Sequence, residues 1–214
     1  MKQHTQGFLA ALLSALLLFI AAAFRFALER SMPLHMLVQM PMLLGAGVAC
    51  AFALSCARRN AQNVQNTPNK LLRGIVYLSS YRFGKIDEYG IVALSFFLLL
   101  SAYWMIPKAL DDVLVSPAAE LLKFAGFFLA GLILPGTWAR ANRVIQLFFL
   151  GNFAWMMAIV GMLYQDTTVR LCNAYLLDDQ LIAGQGLVVL SIAIPALWCL
   201  HAISSKNNKQ QGIF

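Results

Sequence analysis

The chain has 214 residues, 60% hydrophobic and only 12% charged, with 16 Lys plus Arg against 9 Asp plus Glu and a formal net charge of +7. Soluble domains carry about 25% charged residues, so this composition excludes an ordinary soluble globule and belongs in a bilayer. The positive balance suits cytoplasmic loops facing anionic lipid headgroups rather than a nucleic-acid partner.

A hydrocarbon core about 30 Å thick needs roughly 20 apolar residues per helix. Six stretches approach that requirement: residues 7–24, 33–56, 90–106, 124–139, 144–164 and 181–202. The predicted fold is all-α, a polytopic bundle of about six transmembrane helices forming a single domain over 1–214. The first stretch has features of a signal peptide, with Lys2 ahead of it and Ala21, Ala22 and Ala23 at its end. Its apolar run of about 17 residues exceeds the usual 7–15 of such a leader, so it reads as a retained span.

The second stretch opens with S-M-P-L-H-M-L-V-Q-M-P-M from Ser31. Helical spacing places Met32, His35, Met36, Gln39 and Met40 at i, i+3, i+4, i+7 and i+8, on adjoining faces. An imidazole beside thioethers is a soft donor set that favours Cu(I). The same residues read equally as an interfacial histidine among packing methionines. The connection 57–89 is predicted cytoplasmic, polar and rich in Asn and Gln at first, then apolar with Arg73, Arg82 and Lys85, which suits a short helix lying on headgroups or, equally, a basic loop that only fixes topology.

The third stretch ends outside at Trp104 and Met105. The following loop, 108–123, holds three acids, Asp111, Asp112 and Glu120, and Pro117 is expected to open the fourth helix with Ser116 as its cap. A tight turn at 140–143 leads to the fifth span, and the outer loop 165–180 leads to the sixth. Asn152, Gln146 and Gln185 are isolated polar side chains within spans, expected to make interhelical hydrogen bonds. The glycines at 45, 47, 184 and 186 permit close backbone approach. The Ser-, Lys- and Asn-rich tail reads as disordered.

Counting charges after each span places 11 of the 16 Lys and Arg residues on one side, which assigns both termini to the cytoplasm. On that topology His35, Gln39, Trp104, Met105, Glu120, Asp166, Asp178, Asp179 and Gln180 share one layer near the outer leaflet. Helix ends collect polar residues in any bundle, and acids at helix N-termini complement the macrodipole, so the layer by itself does not require a ligand.

Several chemistries lack their parts. The three histidines, His4, His35 and His201, do not share one depth. Cys50, Cys56, Cys172 and Cys199 show no metal-ligand spacing and read as packing residues with one free thiol. No Gly-rich phosphate loop, zincin motif or nucleophile elbow occurs. The pairs Asp111, Asp112 and Asp178, Asp179 are sequence neighbours, which do not face one another on a helix. An enzyme is therefore not expected.

The run R-F-A-L-E-R-S-M-P-L-H-M-L-V-Q-M-P-M-L-L resembles the signature of the polytopic cytochrome c oxidase assembly factors of the CtaG type. Tyr103-Trp104-Met105-Ile106-Pro107 followed by A-L-D-D resembles that family's W-H-x-P block. Leu163-Tyr164 with L-L-D-D-Q-L-I-A-G resembles its L-Y and D-Q-x-x-A-G block. The likeness covers roughly 25–190, and His35, Met36, Gln39, Trp104, Pro107, Asp179, Gln180 and Gly184 match by position. The family's second histidine is Met40 here, the histidine of W-H-x-P is Met105, its H-x-x-E-H block retains at most Glu120, and the family has one span more.

The resemblance implies a non-catalytic inner (plasma) membrane protein assisting cytochrome c oxidase assembly, with a protein partner in the oxidase or its assembly machinery and with membrane lipids around it. It would handle Cu(I) at the outer leaflet through His35, Met36, Met40 and Met105, supported by Met32, Gln39, Trp104, Asp179 and Gln180. Exchange of histidine for methionine at two positions is compatible with Cu(I) retention or with loss of metal binding. The alternatives are a metal-free membrane scaffold or accessory subunit and, more weakly, a transporter of small solutes or metals, which would show polar midplane features and internal repeats.

Overall fold

The computed structural model describes residues 2–63 and 87–211, and within these every regular element is helical. The short helix expected near 71–81 lies outside the described residues. Helix α1 runs Lys2–Ala23 and is followed by a single turn, α2, Arg25–Leu28. A π-helical turn, Leu34–Gln39, then runs directly into α3, Met40–Asn63. The remaining helices are α4 (Ile91–Trp104), α5 (Pro107–Val115), α6 (Pro117–Arg140), α7 (Arg143–Asp166) and α8 (Leu177–Gln211).

Five helices are long and apolar enough to cross a membrane, or up to six if the bent pair α4 and α5 counts as one span. That pair differs most from expectation. The third span stops at Trp104, and the chain turns by 77° into α5, where a loop was predicted from 108. Pro107 sits at the first turn of α5, where its missing N–H costs nothing. Ala109, Leu110 and Val113 form the buried stripe of α5, while Lys108 and Asp112 pair on its exposed side at 3.3 Å.

Pro117 opens α6 after Ser116, as expected, which carries the helix seven residues ahead of the apolar stretch that starts at 124. Ser116 makes no side-chain cap hydrogen bond there. The tail expected to be disordered continues α8 to Gln211.

Helix α3 packs between α1 and α6, α4 lies against α6, and the α7–α8 hairpin joins the bundle through α4 and the π-helical turn. Small residues set the two closest crossings. A Cβ on Gly47 would meet the backbone of Phe128 in α6, and one on Gly161 would meet Gly184 O at 2.7 Å. Ser14 Oγ donates to Ala46 O at 2.8 Å, fastening α1 to α3. The large apolar side chains left exposed along the spans, such as Phe8, Phe19, Leu99, Val189 and Ile192, form the surface that lipid covers in a bundle of this kind.

Candidate functional site

A cluster of buried polar side chains lies at the end of the bundle that the charge distribution assigns outside. Their centre is Lys123, which lies six residues into α6 on the face that also buries Gly126, Phe127, Ala130 and Gly131. Its side chain is fully buried. An ammonium group has three donors and no acceptor, and three acceptors surround this one. Nζ lies 2.6 Å from Glu29 Oε1, 2.8 Å from Gln39 Oε1 and 3.0 Å from His35 Nε2.

The three partners arrive from two local devices. Glu29 is delivered by the end of α2, where its N–H closes the turn on Arg25 O. His35 and Gln39 belong to the π-helical turn. Pro41, just beyond it, has no N–H to give to the carbonyl four residues back, and the Met40 N–H reaches five residues back to His35 O. This widening places His35 and Gln39, both fully buried, side by side toward Lys123. Gln39 Nε2 completes the ring by donating to Glu29 Oε1 at 3.2 Å and to Ala21 O at 3.4 Å.

His35 is held at both nitrogens. Because Lys123 can only donate, Nε2 accepts, and the ring proton is assigned to Nδ1, which lies 2.6 Å from the Tyr175 hydroxyl. Tyr175 belongs to the segment between α7 and α8 and is itself buried. Burial, with the Glu29 carboxylate adding to it, pushes the Tyr175 phenol upward from its usual range, which keeps it neutral.

The segment carrying Tyr175 forms a cap over the cluster, and its own anchors are polar. The Asp111 carboxylate of α5 accepts from Asn173 N at 2.9 Å, Ala174 N at 3.2 Å and Asn173 Nδ2 at 3.3 Å. Gln180 Oε1 accepts from Leu171 N at 2.9 Å while its Nε2 donates to Tyr164 O at 3.1 Å. Tyr164 in turn donates to Met105 O at 2.6 Å, tying the bend between α4 and α5 to α7. Arg170 Nε donates to Tyr175 O at 2.9 Å. Beneath the cap the Cys172 thiol is pushed by burial, and further by Asp111, up to about 12. A thiol in that state is an unreactive packing group at neutral pH.

A second ion pair flanks the first. Arg25 Nη1 lies 2.9 Å from both carboxylate oxygens of Glu120, joining α2 to α6 at the partly exposed rim.

Of the residues expected to form the site, Met32, Met36, Met40 and Trp104 are buried in one core cluster with Tyr175, and Met105 packs against its edge. Gln39 lies at the Lys123 centre, Gln180 fastens the cap, and Asp179 sits half-buried in the first turn of α8. The expected Cu(I) donor set does not fit this arrangement. Neither imidazole nitrogen of His35 is free, and an ammonium 3.0 Å from Nε2 opposes any cation there. Among the described residues no group of three or more His, Cys, Asp or Glu side chains could hold a metal ion, donor types that do not include the thioethers of Met36, Met40 and Met105.

The residues that sequence reasoning missed are Lys123, Glu29, Tyr175 and Asp111. For Lys123 the signal was present: with Pro117 as the first helical residue, position 123 falls in the second turn, on the stripe with Gly126 and Phe127. Tyr175 carried no such signal, since it stands in an irregular segment whose path only the tertiary structure defines.

No protein-family model matches the chain, and comparison with curated proteins and with solved structures gives no match.

Proposed function

We propose that this chain is a non-catalytic accessory protein that works by contact with another membrane protein, and that it does so without a bound metal. The supporting observation is the closure of its polar interior. The three donors of Lys123 are taken by Glu29, Gln39 and His35, and the second nitrogen of His35 is taken by Tyr175. Among the described residues Trp104 Nε1 is the one buried side-chain polar atom lacking a partner. A catalytic or carrier site needs groups aimed at an absent ligand, whereas these are aimed at one another. Such a cluster fixes the positions of α2, the π-helical turn, α6 and the cap, and so presents a rigid face at one end of the bundle.

The likeness of the stretches around His35, Trp104 and Asp179 to the CtaG-type assembly factors supports a cytochrome c oxidase, or the machinery that builds it, as the partner, with the inner membrane as the location. The test is deletion of the chain followed by measurement of assembled oxidase from its haem absorbance. The expected result is a several-fold loss, restored by wild type and equally by a Met36→Leu, Met40→Leu, Met105→Leu variant. Unchanged oxidase on deletion overturns the assignment. Failure of the triple variant, with rescue by added copper, restores the Cu(I)-handling version in its place.

A further inference from the structure

The outward face of α7 carries an amide that lipid cannot satisfy. Asn152 is the tenth residue of the 24 in Arg143–Asp166. At 1.5 Å per residue it lies about 14 Å from one end and about 21 Å from the other, well inside a hydrocarbon layer of about 30 Å. The side chain is exposed. Nδ2 donates to Phe148 O of its own helix at 2.8 Å, and among the described residues Oδ1 has no partner. An uncompensated amide oxygen in hydrocarbon is costly, and such groups are used to join helices.

The surroundings of Asn152 are shaped for a close neighbour. A Cβ on Gly151 would meet nothing within 4 Å. Phe148 and Trp155, both more than 60% exposed, stand one turn to either side of that notch. Toward α4 the notch opens into a groove of about 340 Å³, walled by Leu98, Leu99 and Ala102 and opening sideways from the bundle. Gln185, also exposed, differs in depth: it follows Gly184, which packs on Gly161 near the opposite end of α7. Its longer side chain can reach toward the headgroups.

We propose that this face of α7 is a self-association surface, on which two copies of the chain pair about a two-fold axis along the membrane normal. Copies inserted with the same orientation keep every residue at its own depth, so such an axis brings Asn152 opposite Asn152. A carboxamide is both donor and acceptor, so the group completes itself: each Oδ1 accepts the free N–H of the other copy. Gly151 meets Gly151 beside it and lets the backbones approach, as small residues do at membrane helix crossings. The groove against α4 receives the bulky side chains that flank the notch on the facing copy. The pairing stands independently of any oxidase partner, because it uses the lipid-facing middle of α7 rather than the capped polar end.

The test is resonance energy transfer between singly labelled full-length copies in phosphatidylcholine bilayers, followed as the protein is diluted into increasing lipid. Wild type is expected to dimerise, Asn152→Leu to weaken dimerisation at least tenfold, and Gly151→Leu to weaken it similarly. Asn152→Gln, which preserves donor and acceptor, should stay within about threefold of wild type, and Ile192→Ala on α8 should change nothing. Because residues 151 and 152 are exposed, unaltered thermal unfolding of each variant confirms that folding is intact. Monomers at every dilution, or dimers that persist unchanged in Asn152→Leu, overturn the proposal. So does wild type that pairs only when a different membrane protein is supplied.

Discussion

Lys123 Nζ and Glu29 Oε1 lie 2.6 Å apart with both side chains buried, one in α6 and the other just past the end of α2, 94 positions apart in the chain. Removing one member of a buried ion pair strands the other charge, which typically costs about 3–5 kcal/mol, whereas replacing both by apolar groups is far cheaper. Lys123→Met should therefore lower the unfolding free energy in detergent by about 3–5 kcal/mol. The double variant Lys123→Met, Glu29→Leu should recover more than half of that loss. Chemical unfolding of the four proteins of the cycle measures both numbers, and additive losses would show that the pair is not coupled.

The contact between His35 and Tyr175 is a second, separable joint. Tyr175→Phe leaves the Nδ1–H of His35 buried without an acceptor, a loss of about 1–3 kcal/mol. Its effect should be local. Hydrogen exchange should accelerate in residues 167–176 while α3 and α6 keep their protection, because the Lys123 contacts to Glu29 and Gln39 remain.

Asp111 holds the cap from the α5 side through three acceptor contacts. Asp111→Ala removes all three, and the Cys172 thiol, now 1% exposed, should become accessible. Alkylation by a maleimide at neutral pH should speed up at least tenfold over wild type, with Cys199, already exposed, as the internal reference.

Alkali should loosen the same cap. The Cys172 thiol is raised from its ordinary 9.0 to about 12, so the folded state disfavours the thiolate that the unfolded chain forms freely. The sign follows from linkage: this contribution is fully present below pH 9 and is lost as pH rises from there through about 12. The Tyr175 phenol, also raised, acts in the same direction above its ordinary 10.0. Unfolding midpoints should fall across that window, and Cys172→Ala should flatten the lower part of the fall.

Close backbone crossings set another limit. At Gly161 a Cβ would lie 2.7 Å from Gly184 O and 2.9 Å from the Val188 side chain. Gly161→Leu should part α7 from α8 and prevent accumulation of folded protein, whereas Gly136→Ala, whose nearest neighbour is the flexible end of Arg140 at 3.6 Å, should be tolerated. Expression and monodispersity of the two variants compare the sites directly.

The helical bundle was legible because lipid imposes long apolar runs that need no tertiary knowledge, and the order of spans follows from them. The bend after Trp104 was not, since Pro107 and the half-polar stretch after it fit a loop or a short amphipathic helix equally well. His35 and Gln39 were legible as unusual polar residues near hydrocarbon, but their partners were not. Thioethers next in sequence drew attention toward a metal, while the groups that bind the imidazole come from 88 and 140 positions away. Asn152 was expected to bond another helix; within the described chain it bonds its own, and only an exposed side chain at that depth reveals the free oxygen.

The 77° turn at the end of α4 also bears on the surrounding bilayer. The 14 residues of Ile91–Trp104 rise about 21 Å, several ångströms short of an average hydrocarbon layer, and α5 leaves too steeply to add much height. Counted with α5 as one span, this helix would require the acyl chains beside it to shorten or tilt, at a fraction of a kcal/mol per ångström of mismatch. On that count, vesicles of short-chain lipid should stabilise the protein relative to long-chain ones.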